Sequence, residues 1–75
     1  MEYDEERIEE VVLALLGAFE FENGRAWKGY DFAVMEALHA KGYIAEPRGR
    51  VKSVQLTDEG MLRAKQLAGR YFGKG

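Results

Sequence analysis

Cysteine is absent from this 75-residue sequence, and proline, histidine, tryptophan, serine and threonine occur once each. Each scarcity excludes something. Without cysteine there is no disulfide, and the one imidazole, His39, has no second nitrogen or sulfur ligand to complete a metal site. No apolar run approaches the ~18 residues that a membrane span requires. Ser53 and Thr57 are the only aliphatic hydroxyls, and Thr57 is better used as a helix cap. No nucleophile–base spacing, Walker-type loop or dinucleotide fingerprint accompanies them. The expectation is a protein that is not an enzyme, needs no cofactor and has no small-molecule substrate.

What is present fits one small domain over residues 1–75. A chain this short buries only roughly 60% of its unfolded surface, so it depends on packing, good helix caps or self-association. Its 12% aromatic content helps, because each aromatic side chain buries a large area. The acidic start, MEYDEERIEE, carries no basic, apolar leader, which points to a soluble cytoplasmic protein. Net charge is −2, but unevenly spread. Residues 1–24 carry one base against eight acids, residues 25–52 six bases against three, and residues 53–75 four against two.

Three helices announce themselves by the same start chemistry. Asp4 caps a first helix with Glu5 and Glu6 in its opening turn, and Tyr3 and Ile8 stand at staple positions. Ile8, Val11, Val12, Leu15, Leu16 and Phe19 recur at helical spacing and predict its core face, with the glutamates outward. Asp31 caps a second helix that ends at Lys41, with Tyr30 and Met35 as staple and Val34, Met35 and Leu38 facing the core. Gly42 suits a left-handed C′ position and Tyr43 a closing contact with Leu38. Thr57 caps a third helix, stapled by Leu56 and Met61. Its buried side is Met61, Ala64, Leu67, Ala68, Tyr71 and Phe72, and Gly73 closes it.

Between the second and third helices, Tyr43–Glu46 and Val51–Leu56 alternate as two strands of a basic hairpin. Pro47 and Gly49 suit its turn. With Ile44, Val54 and Leu56 inward, Glu46 and Arg50 face each other near the tip. Residues 20–30 suit a short strand or a frayed helix end, an Asn23-Gly24 turn, and a strand Arg25-Ala26-Trp27 joining the hairpin. The expected fold is therefore α+β, a small winged-helix-like domain ordered α–(short β/loop)–α–β-hairpin–α.

The run GYI…RGR…KSVQLTDEG resembles the wing and following helix of MarR-like and PadR-like winged-helix regulators, where a strand commonly ends in Leu-Thr-x-x-Gly; here those residues are Leu56, Thr57 and Gly60. Over its whole length the chain also resembles a family of small, uncharacterised bacterial domains, through RAWKGYD (Arg25–Asp31), HAKGYI (His39–Ile44) and KSVQLTDEG (Lys52–Gly60). That resemblance implies the fold and a bacterial cytoplasm, and no reaction. The chain departs from a full helix-turn-helix, because residues 20–30 are too short to supply the usual helix before the recognition helix.

Two binding functions follow. In the first, Arg48, Arg50 and Lys52 contact nucleic-acid phosphates, helped by Arg25, Lys28 and Lys41, since flexible cations on a hairpin suit that task. The second helix offers Ala33, Glu36, Ala37 and Ala40 outward instead of base-reading side chains, which argues against sequence-specific readout. In the second, the chain is a homodimer or protein-interaction module with Trp27, Tyr30 and Tyr71 as anchors. Trp27 reads as a core plug between the first two helices or as an exposed stacking group. The Ala33/Ala37/Ala40 strip reads as internal packing or as a helix-docking surface.

Overall fold

A computed structural model describes residues 2–74. The elements run α1 (Glu5–Ala18), β1 (Arg25–Trp27), α2 (Phe32–Ala40), β2 (Ser53–Gln55) and α3 (Asp58–Phe72), an α+β arrangement. The caps act as their chemistry dictates. Asp4 accepts from the Arg7 amide at 3.1 Å, Asp31 from Val34 at 3.2 Å, and Thr57 from Gly60 at 2.9 Å. Helix α2 stops by the expected mechanism: Gly42, at φ +83°, donates to His39, and Tyr43 donates to Leu38. Those two bonds make a Schellman closure, which satisfies carbonyls the helix end would otherwise leave bare.

β1 and β2 are antiparallel, pairing Arg25 with Gln55, Ala26 with Val54 and Trp27 with Ser53. Strand 25–27 thus joins the sheet as its composition suggests. The first strand expected for the hairpin is shorter than its alternation implied. Residues 43–46 contribute one bridge, Ile44 to Leu56, and one further bond from the Ala45 amide to Gln55. Beyond it the chain turns down over α2. Pro47 is buried, and the Lys28 ammonium donates to the carbonyls of Pro47 (2.6 Å) and Gly49 (3.1 Å). The loop at 46–52 is therefore tied back against the body of the protein.

Leu13, Leu16, Met35, Leu38, Ile44 and Leu67 are the largest fully buried side chains, with Val54 and Leu56 beside them. The inward register of Ile44, Val54 and Leu56 is as expected. The core face of α1 is so only in part: Leu16 is buried and Val12 packs on the core. Leu13, Ala14, Leu16 and Gly17 are buried, whereas Ile8 and Phe19 are exposed and Val11 and Leu15 only half-buried. Helix α1 packs chiefly on α3. The two helices approach closely at Gly17, where an added Cβ would lie 2.6 Å from the Ala64 Cβ. A glycine facing an alanine there lets the helices meet along the Leu13/Gly17 side of α1.

Candidate nucleic-acid interface

The six candidate cations divide by partner. Arg48 pairs with Glu36 of α2 at 3.3 Å and lies 3.9 Å from Glu46. The expected pairing of Glu46 with Arg50 does not form; Glu46 faces Arg48 and, at 3.6 Å, His39. His39 itself donates from Nδ1 to the Ile44 carbonyl, an edge role. Lys41 is bonded to Glu9 of α1, and this carboxylate holds its ammonium above the ordinary lysine range. Arg48 and Lys41 are thus neutralised, and Lys41 is drawn away from the loop.

Among the described residues the other four cations have no carboxylate partner. Arg25 donates through Nε and Nη2 to the Ser53 hydroxyl at 3.0 and 2.7 Å. Lys28 bonds only the loop carbonyls. Both partners are neutral, so the bonds fix these side chains without cancelling them. Arg50 and Lys52 are exposed and have no carboxylate partner among the described residues. The backbone pairs two of the four: the Lys28 amide donates to the Lys52 carbonyl at 2.9 Å, continuing the ladder beyond the Trp27–Ser53 pair, with Arg50 two residues further along the loop.

Trp27 is not a core plug. It is 60% exposed, because strand alternation sends Ala26 and Val54 inward and Arg25, Trp27, Ser53 and Gln55 to the outer face. Phe21 joins them: a tight bridge pairs Phe21 with Arg25, and its ring lies 4.8 Å from that of Trp27 at a 40° tilt. The turn making this bridge holds Glu22, Asn23 and Gly24 at φ 39°, 59° and 91°. The Glu20 carboxylate accepts from the Gly24 amide, and Gln55 donates to the Asn23 carbonyl at 2.7 Å, closing the turn from both sides. The sequence reading missed Phe21, Ser53 and Gln55. Their signal was the small Ala26 between two large polar or aromatic neighbours.

The remaining anchors point inward or into bonds. Tyr30 packs on the core, and Tyr71 donates to Glu10 at 2.6 Å while packing there as well. Ala33 and Ala40 are exposed and Ala37 half-buried, so the alanine strip is not internal packing. Among the described residues no three His, Asp or Glu side chains converge as a metal site, and no helix is long and apolar enough to cross a membrane.

Residues 4–74 match a domain of unknown function (DUF6429). The chain belongs to that family. A relative from Sinorhizobium fredii (strain NBRC 101917 / NGR234), "Uncharacterized protein y4hR", is 44% identical over 72 residues, spanning 96% of this chain and 97% of the relative. No solved structure matches. The DUF6429 match spans all the strands and helices described above, so the sheet face and its loop lie inside the family's own boundaries.

Proposed function

We propose that this protein is a non-catalytic, winged-helix-like binding module that contacts nucleic-acid phosphates through Arg25, Lys28, Arg50 and Lys52. The observation that carries the reading is their common location around β1 and the 46–52 loop with no acid among their partners within the described residues. Phosphates are held by cations that are both placed and uncompensated, and Arg25 and Lys28 are placed by neutral acceptors. The order of helices and the docking of strand 25–27 on 53–55 support the winged-helix comparison. Helix α2 does not act as a reading helix here, because Glu36 and the alanines dominate its outward face.

The test is a fluorescence-anisotropy titration of random duplex and single-stranded DNA at two salt concentrations. Four phosphate contacts give a log–log salt slope of roughly −3 to −4. Arg50→Ala/Lys52→Ala lowers affinity at least ten-fold at low salt, while Arg48→Ala changes it little, since Arg48 is already paired. No association at low salt, or equal loss from Arg48→Ala, overturns the assignment.

A second reading rests on a different surface. Ile8 and Phe19 are exposed and Leu15 half-buried on α1, and Ala33 and Ala37 of α2 share a groove with Ile8. This surface, apolar at Ile8, Ala33 and Ala37 and edged by Glu5, Glu9 and Asp31, supports a protein-interaction or homodimeric role. Sedimentation across a concentration series tests the homodimer, and a monomer throughout excludes it.

A further inference from the structure

The Phe21–Trp27 pair is the feature that phosphate binding alone leaves without a role. An exposed tryptophan forgoes the free energy that burying its ring would release, yet here a strained turn holds a second ring against it. Glu22 and Asn23 both adopt left-handed backbone angles, a conformation Asn tolerates and Glu does not favour. The turn is nonetheless fixed by Glu20, Gln55 and the doubly bonded Phe21–Arg25 bridge. Arg25 lies on the same face, its guanidinium oriented by Ser53. An aromatic ring with a held guanidinium beside it and free cations at the strand's end is the chemistry of a base-stacking platform. Rings accept the π-face of an unpaired base, and the cations take the phosphates on either side.

We infer that the outer face of β1 and β2 binds single-stranded nucleic acid, with an unpaired base stacked on Trp27 and a flanking phosphate held by Arg25, the guanidinium that Ser53 orients on the same face. Bases within a duplex have their faces covered by neighbours, so a flat platform on a sheet gains nothing from them. The inference rests on the phosphate-binding reading and adds the strand state of the ligand to it.

The experiment compares three probes of equal length with the intact protein: single-stranded oligothymidine, the same backbone with abasic sites, and a duplex. Trp27 is the only tryptophan, so its emission reports on the site directly. Oligothymidine is expected to quench it and to bind about ten-fold or more tighter than the abasic strand. Trp27→Ala, at an exposed position, is expected to reduce oligothymidine affinity to the abasic level while leaving abasic binding unchanged. Trp27→Phe is expected to recover part of the loss. Equal affinity for base-bearing and abasic strands, or unchanged emission at saturation, overturns the platform but leaves phosphate binding standing. Failure of all three probes to bind at low salt overturns both. A shift of Trp27 emission with protein concentration alone assigns the face to a second copy of the chain and likewise overturns the inference.

Discussion

Thr57 fastens the end of one helix to the start of another. Its amide donates to Tyr43 at 3.0 Å, its hydroxyl donates to Gly42 at 2.7 Å, and the same oxygen accepts from Gly60 at 2.9 Å. Gly60 completes the junction by having no side chain, because a Cβ there would run into the Tyr43 carbonyl. The Leu-Thr-x-x-Gly run is therefore a packing device joining α2 to α3, and its residue types were legible for that reason. Thr57→Ala is expected to cost about 1–2 kcal/mol in urea unfolding, with Thr57→Ser largely neutral. Gly60→Ala is expected to cost about 3 kcal/mol, since the obstructing atom is backbone and cannot rotate away. Trp27 shows the opposite case of legibility. A lone tryptophan reads as core by size, and only the parity of a three-residue strand reveals that it faces out.

At the scale of elements, caps and ends were written in the sequence while faces were not. Asp4, Asp31, Thr57 and Gly42 set their helix ends through local hydrogen bonds, so local residues sufficed to place them. The buried face of α1 depends on a distant partner. Residues 11–19 are all apolar apart from Gly17, so several stripes compete, and the Gly17–Ala64 approach decides between them. The loop at 46–52 is similar: its hold by Lys28, nineteen positions away, has no local signature. Glycine substitution separates these effects within one pair of helices. Gly69 of α3 has open space beside it, so Gly69→Ala is expected to stabilise by about 0.5–1 kcal/mol through helix propensity. Gly17→Ala receives the same propensity gain but forces two Cβ atoms apart, and overpacking of about 1–3 kcal/mol outweighs it. Urea midpoints should therefore move in opposite directions.

Over the whole molecule, the acidic first helix and the basic strand and loop occupy different surfaces, and the charges that cross between elements bind α1 to its neighbours. Lys41 at the end of α2 bonds Glu9, and Tyr71 near the end of α3 donates to Glu10. The carboxylate of Glu10 favours the neutral phenol and, with burial, raises Tyr71 above its ordinary value near 10; Glu9 likewise raises Lys41. Both groups hold their proton more tightly folded than unfolded. Their stabilisation is complete below the unfolded values and disappears as pH rises through the raised ones. Stability from these two contacts should thus be level between pH 7 and 9 and decline above about pH 10. Phenolate absorbance should show an ionisation above the ordinary tyrosine value, and Tyr71→Phe should remove that late step. The stability difference between Tyr71→Phe and the parent, measured by urea unfolding, should shrink as pH passes 10. A difference that stays constant to pH 11 would mean that Tyr71 acts through its ring on the core and that its bond to Glu10 contributes nothing.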